Sequence, residues 1–541
     1  MKTDNGIFIE DKDPVRSKLN YWLEIGLVLL IVFAISMVTL SASNPKTNPP
    51  GRDGGFFLYV GKAIKSGAKL YVDIWDSKGP MIFWINAIGV GSDYSRWGVF
   101  LIQLCFQTSA LFIAYWVTKR LYGILPALGT VLIGTLLLNL VIGPGNSTEE
   151  YSLLFTWVAI AALVLLMTTE KKTFCPFFLM GVSIIFNFLL RANNIGTQII
   201  VILVAFFHVY TKEKNTKFWQ PIAYLIVGAL TVSFPVSLYF IINGSFGAMI
   251  DASIIYNFSY SAATGTTFSN SILPAFNIFE NWFLVFIVIW LLTIWHLFDR
   301  KHKELTPILL LTVLAFPIEI FMSSISGRGY KHYFICWIPA CMLLIAYGLS
   351  IVQREAINPV FRKKCETTHI LMILTLLFII ITVTSFNTLY GTMRFIGASI
   401  IRPNINREYR EPAAKVVMDL TDETDKVLVF AGQAGINIMA QRDSINGALF
   451  YPAINNSKIG TEIQNNYFKN LKADPPLLIL DGHSFHPEQI PAIDPQTRNN
   501  QRFVVTFADN LEQVLDWINQ HYERYDEANG YIIYRLRSSS Q

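Results

Sequence analysis

The chain has 541 residues, of which 52% are apolar and only 15% charged, and phenylalanine alone takes 40 positions. With a mean hydropathy of +0.41, it holds more apolar surface than soluble domains can bury, which excludes a string of soluble domains and points to a polytopic membrane protein. The net charge of +5 is unevenly divided: residues 388–541 hold 15 Lys+Arg against 18 Asp+Glu, a balance of −3, leaving +8 on residues 1–387. No basic block is interleaved with exposed aromatics, so nucleic acid is not an expected partner, and the positive excess reads as membrane topology.

From the N-terminus, about twenty polar residues precede the first apolar run and no small-residue cleavage site follows it, the pattern of a retained anchor. Apolar runs then recur near 22–41, 81–118, 123–142, 151–168, 174–190, 195–210, 219–242, 279–298, 306–323, 332–352 and 369–387, about eleven spans. The run 81–118 is too long for one straight crossing. It contains Gly91-Ser92-Asp93 and reads as a short helix near the outer leaflet followed by a true span. Basic residues cluster at Lys119-Arg120, Lys171-Lys172, Lys212 to Lys217, Arg300 to Lys303 and Arg362 to Lys364, on every second connection. The positive-inside bias therefore predicts a cytoplasmic N-terminus, and an odd number of spans puts the C-terminus outside, in a multi-pass cell-membrane protein. The outward connections are then 42–80, 143–150, 243–278, 324–331 and everything beyond 388, and function is expected there.

Residues 388–541 read as a separate extracytoplasmic α/β domain. Short apolar strands (Val427 to Phe430, Leu477 to Leu480, Tyr531 to Tyr534) alternate with amphipathic stretches (Pro412 to Leu420, Leu511 to Tyr522). Gly432-Gln433-Ala434-Gly435 follows a strand but lacks the lysine and spacing of a phosphate loop, so it reads as a turn. Cys105, Cys175, Cys336, Cys341 and Cys365 lie in or beside apolar runs and form neither a disulfide framework nor a C-x-x-C metal site. The Asn-x-Ser/Thr triplets at Asn243 and Asn455 carry no weight.

The candidate chemistry lies in the outer loops. Residues 52–84 hold the densest mixture of charge and aromatic rings beside the membrane, and charged groups there mark substrate pathways. Asp53 has two readings, a catalytic carboxylate or an N-cap of the helix over Phe56 to Ile64. The stripe Phe57, Val60, Ile64, with Lys62 and Lys65 off it, suggests that this helix lies in the membrane plane. Lys78, followed by Gly-Pro at the mouth of a span, either grips a lipid phosphate or snorkels to the interface. Asp73 and Asp76 stand at i, i+3, too few carboxylates without histidine to predict a metal, and no cofactor is expected. Glu149 and Glu150 open one span, either as site acids or as complements to a helix dipole. Another opens with Arg328 and His332, and Arg328 is suited to bidentate contact with phosphate. Arg191, between two spans, is a comparable cation.

The order of these motifs resembles a known family: an acid near the start of the first outer loop, G-x-x-x-Y-x-D (Gly67 to Asp73), W-D-x-K-G-P (Trp75 to Pro80), G-N-x-T-E-E-Y (Gly145 to Tyr151) and G-R-x-Y-x-H-Y (Gly327 to Tyr333). Over nearly the whole chain it looks like the bacterial branch of the dolichyl-phosphate-mannose protein mannosyltransferase family, whose relatives include the lipid A aminoarabinose transferase. The resemblance implies a GT-C transmembrane domain over 1–387 and an inverting transferase that takes one sugar from a polyprenyl monophosphate. It implies Asp53 as general base and Lys78 on the carrier phosphate; the need for fixed cations as charge grows on the leaving phosphate adds Arg328 beside Lys78. Many relatives carry Asp-Glu where this chain has Asp53-Gly54, so a second acid must come from Asp73, Asp76, Glu149 or Glu150 or be dispensable. Arg191 and His332 complete the candidate set.

The expectation is thus a membrane glycosyltransferase of the cell envelope, moving a sugar from a polyprenyl-phosphate donor such as undecaprenyl phosphate to an outward-facing glycan, lipid or protein. Its rivals are a ligase of larger lipid-linked glycans and a transporter or flippase. The transporter reading calls for mid-membrane charges, broken helices and inverted repeats, and these are scarce in the sequence.

Overall fold

The computed structural model of the protein describes residues 16–168, 173–212, 219–258, 268–298, 305–354, 408–430, 433–447, 458–504 and 506–537. The predicted span 369–387, the basic clusters at 171–172, 300–303 and 362–364, and Cys365 lie outside the described residues. Among the described residues, eight helices are long and apolar enough to cross a membrane and three apolar helices are shorter.

The first nine helices are α1 (Arg16–Thr39), α2 (Arg52–Lys65), α3 (Pro80–Gly89), α4 (Trp97–Tyr122), α5 (Ile124–Val141), α6 (Thr148–Thr168), α7 (Phe174–Leu190), α8 (Gly196–Lys212) and α9 (Trp219–Ile242). The long run over 81–118 is indeed two helices, α3 and α4, broken at the turn around Gly91, whose N–H bonds to the Ser95 carbonyl. The short α10 (Phe246–Ile250) runs into a π turn, Asp251–Ile255. Among the described residues, helices Phe268–Phe279, Asn281–Phe298, Thr306–Ser324 and Ile338–Val352 follow in the bundle, the last preceded by a 3₁₀ segment, Lys331–Trp337. One large apolar core joins α1, α4, α5, α6, α7 and α8 with Ile338–Val352. Lys119 and Arg120 end α4 and Lys212 ends α8. These are the helix ends remote from the loops 51–54, 144–147 and 191–193, which gather at the other end of the bundle.

Helix α2 corrects one expectation. Residues Gly54 to Gly61 are buried on every face, so its apolar stripe is covered by protein and not by lipid. The helix is held between α3 and the C-terminal domain. Gly61 abuts the Asn86–Ala87 backbone, and a Cβ at Gly55 would stand 2.8 Å from the Gly435 Cα. The amphipathic stripe at Phe57, Val60 and Ile64 is real, but its polar complement is only the last turn.

The C-terminal domain carries a four-stranded sheet of order β1-β2-β4-β3: β1 (Val427–Val429) and β2 (Leu478–Asp481) are parallel, and β4 (Tyr531–Leu536) is antiparallel to both β2 and β3 (Tyr522–Ala528). The three predicted strands are present. Strand β3 was not expected, because YERYDEA is mostly charged; it is an edge strand with its five middle residues exposed, where charge blocks further pairing. Apolar cores lie on both sides of the sheet. Gly432 of the predicted turn lies outside the described residues; Gln433 and Ala434 lead into a helix, Gly435–Ala440, whose first residue is the contact with Gly55. The domain is tied to the bundle by Arg96, which is 4% exposed, pairs with Glu408 at 2.9 Å and donates to the carbonyls of Pro45, Asn48 and Tyr409. Tyr59 Oη also accepts the Ser444 N–H at 2.7 Å.

Candidate active site

The loops gathered at one end of the bundle enclose a cavity of about 900 Å³. Its polar end is built from the first outer loop, from Arg191-Ala192-Asn193 and from Ser326, Tyr330, His332 and Tyr333. Its apolar end runs between Ile185, Phe188 and Leu189 of α7, Ser233 and Ser237 of α9, and the α10–π segment. Pro235 lies between the two serines. It removes a backbone hydrogen bond at that depth, where irregular backbone is tolerated only beside a cavity or protein.

Asp53 is the acid of this cavity. Helix α2 has Gly51 as its N-cap with no side-chain cap, so Asp53 stands two residues past the cap position, inside the first turn, and the capping reading fails. Its carboxylate keeps 44% exposure and lies 3.9 Å from His332 Nε2, too far for a hydrogen bond. The His332 ring is ordered by stacking on Tyr330 and by an edge contact with Tyr333 at 4.8 Å between centroids. Where many relatives carry a second acid this chain has Gly54, and a Cβ there would stand 3.1 Å from the Gly145 carbonyl and from Asn146 Cβ, so a side chain at 54 would press the 145–146 loop back by a few tenths of an ångström.

Lys78 and Asp76 share the cavity wall with Asp53. Asp76 Oδ1 accepts the Lys78 N–H at 2.7 Å, and the Lys78 carbonyl accepts from Tyr71 Oη at 2.7 Å. Tyr71 takes a left-handed φ of 68° to make that bond, a strain of the kind that clusters at functional sites. At Gly79 any side chain would overlap the Leu189 carbonyl; the glycine lets Lys78 come down onto the end of α7. Burial works against the Lys78 charge, yet Asp76 first, then Tyr333 and Asp53, together outweigh it and hold the ammonium above its usual pKa. Burial pushes the Asp76 carboxyl up, opposed by Lys78.

The remaining candidates separate. Arg191 lines the cavity, with its guanidinium 3.6 Å above the Tyr333 ring and paired with buried Glu149. Glu150 accepts the Asn146 N–H at 2.7 Å and a bond from Gln103 at 3.2 Å; it shapes the 144–147 loop. Asn146, at a left-handed φ of 56°, donates in turn to the Gly54 carbonyl at 3.0 Å. Asp73 Oδ2 accepts the Lys69 N–H at 2.7 Å and closes its own turn, so Asp73 and Asp76 serve different backbone groups and do not converge as ligands. Arg328 is off the wall, reaching Tyr330 Oη at 3.4 Å. The cations on the wall are Lys78 and Arg191, with Arg52 beside Asp53. Asp76 is thus the second carboxylate that reaches the cavity. Sequence reasoning missed Ser233 and Ser237, for which Pro235 was the available signal. It also missed Ile463 and His486 of the C-terminal domain, for which there was none.

Comparison with solved structures identifies the fold. ArnT from Cupriavidus metallidurans, solved bound to undecaprenyl phosphate, superposes with a TM-score of 0.56 at 13% identity over 96% of this chain and 98% of its own. Its apo form gives 0.56 at 12% identity over the same shares. The oligosaccharyltransferase AglB from Archaeoglobus fulgidus, in complex with an inhibitory peptide and a dolichol-phosphate, gives 0.50 at 12% identity over 96% of this chain and 74% of its own. These likenesses show the GT-C fold. No curated protein matches the chain in sequence. With residues 23–397 matching the family model of the competence-induced protein Ccs4 N-terminal domain, the chain belongs to that family, on a GT-C fold.

Proposed function

We propose that the protein is a membrane glycosyltransferase that moves one sugar from a polyprenyl-phosphate to an acceptor hydroxyl, with inversion. The observation that carries this reading is the shape of the cavity, a charged polar end continuous with an apolar arm between membrane helices α7 and α9. A lipid phosphate needs both. The phosphate sits against Lys78, and the isoprenoid follows Phe188, Leu189 and Ile185. That ArnT binds undecaprenyl phosphate and AglB a dolichol-phosphate on the same fold supports the donor class.

In this reading Asp53 accepts the proton of the acceptor hydroxyl as its oxygen attacks the anomeric carbon. The carbon–oxygen bond to phosphate breaks on the opposite face, and the charge that grows on the phosphate is met by the Lys78 ammonium. Arg191, fixed by Glu149 and Tyr333, sets the positive potential behind it. The N-terminus is cytoplasmic, and the cavity and the domain after residue 388 face outward. Lys119, Arg120 and Lys212 at the opposite helix ends support that orientation.

The test is transfer from radiolabelled undecaprenyl-phosphate sugars by the purified full-length protein, with Asp53→Asn and Lys78→Ala beside it. Release of undecaprenyl phosphate by the unaltered protein and its loss in both variants is the expected result. No release from any such donor overturns the reading.

A further inference from the structure

The Asp53 carboxylate lies 3.9 Å from His332 Nε2, beyond hydrogen-bond reach, so its place depends on the backbone that carries it. That backbone is held by two buried asparagines far apart in the chain. Asn146 Nδ2 donates to the Gly54 carbonyl at 3.0 Å and to Asn86 Oδ1 at 2.9 Å, and Asn86 Nδ2 donates back to Asn146 Oδ1 at 3.2 Å. The two amides form a reciprocal pair. Each is oriented by a group outside it: the Ile82 carbonyl accepts from Asn86 Nδ2 at 2.8 Å, and Tyr151 Oη donates to Asn146 Oδ1 at 2.9 Å. Asn86 is fully buried and Asn146 is 6% exposed. With all four of their side-chain N–H groups used, the amides specify a single arrangement.

The pair joins the two sides of the reaction centre. Asp53 and Gly54 stand in the first turn of α2. Asn86 belongs to α3, which starts at Pro80, two residues after Lys78. The two helices also meet at Gly61, where a Cβ would stand 2.6 Å from the Asn86 carbonyl carbon, so Asn86 is pressed against α2 by backbone as well. An in-line displacement needs the base at the attacking oxygen and the ammonium at the leaving phosphate, with the anomeric carbon between them. A misplacement of about 1 Å in such an arrangement costs on the order of 10²-fold in rate.

Resting on the transferase reading, we propose that Asn86 and Asn146 are positioning residues that set the separation of the Asp53 carboxylate from the Lys78 ammonium. Asn146 reaches the cavity wall, whereas Asn86 lies off it. A change at Asn86 therefore acts on the reaction through Asn146 and the contact between α2 and α3.

The experiment uses full-length protein in lipid nanodiscs with radiolabelled undecaprenyl-phosphate sugars, and Asn86→Leu, which is close to asparagine in size but makes neither amide bond. The turnover number falls at least about tenfold, while the donor KM stays within about twofold because Lys78 and the apolar arm are untouched. In an Asp53→Asn background the same change causes no further loss, since no base is left to misplace. A merely structural role would lower the active fraction by the same factor in both backgrounds. Where Asn86→Leu does not fold, Asn86→Ser, too short to reach Asn146, replaces it with the same expectations. A folded variant with normal turnover overturns the proposal, as does a loss confined to KM or one that multiplies with that of Asp53→Asn. No release of undecaprenyl phosphate by the unaltered protein is the separate failure of the transferase reading, and this proposal falls with it.

Discussion

Two loops at the same end of the bundle carry acids in similar sequence settings and use them in opposite ways. In the 144–151 loop, Glu149 is buried against Arg191, and Glu150 is taken up by the Asn146 N–H and Gln103. In the 51–80 loop, Asp53 keeps 44% exposure and has His332 only within 3.9 Å. Satisfied acids hold a scaffold, because removing either partner strands a buried charge. An acid left close to its partner but not bonded can take a proton from an incoming group without first breaking a bond. In the proposed mechanism, incomplete pairing beside the cavity, not the acid itself, sets Asp53 apart.

The comparison breaks most sharply at Asp53→Asn. The substitution keeps size and polarity but cannot accept the proton, so transfer falls by about 10² to 10⁴ while the thermal midpoint is unchanged. Near-normal turnover in that variant moves the base to Asp76. Glu149→Gln is its mirror image. It leaves Arg191 buried without its carboxylate and costs about 3 to 5 kcal/mol of stability, read as a lowered unfolding midpoint in detergent. A Glu149→Gln protein with normal stability and no activity would put Glu149 in the chemistry and erase the contrast. Lys78→Ala removes a charge-assisted contact and weakens donor use roughly ten- to hundredfold, measured as KM for the labelled polyprenyl-phosphate sugar. Arg328→Ala is the smallest. Off the wall and partly exposed, it changes donor KM by no more than about threefold, the scale of an exposed contact. A Lys78-sized effect there would return Arg328 to the phosphate.

Much of this was legible in the sequence, for reasons of range. Spans follow from composition, and the break between α3 and α4 from a local Gly-Ser-Asp. The first-loop lysine and acids stand out because charge beside a membrane is costly. The roles of individual acids were not legible: Asp73 and Asp76, three residues apart, differ only in which N–H each accepts. Gly54 gave no hint that it was fixed by Asn146, nor His486 that it faced Asp53's cavity, because those contacts join residues far apart in the chain. That α2 is covered by protein was hidden for the same reason, since its covering partner, Gly435, lies far away in the chain. Strand β3 escaped because an edge strand needs no apolar pattern.

The glycine-to-glycine contact between residues 55 and 435 also bears on how the protein is made. The ribosome releases the chain from the N-terminus, so Asp53 and Lys78 are in place while almost all of the sequence is still to come, and the wall holding Ile463 and His486 arrives late. During that interval the nascent protein has its reactive carboxylate in an open basin. On the proposed function, transfer would wait for completion of the last domain, and a bulky residue at either glycine would yield a bundle that inserts normally but never closes its cavity.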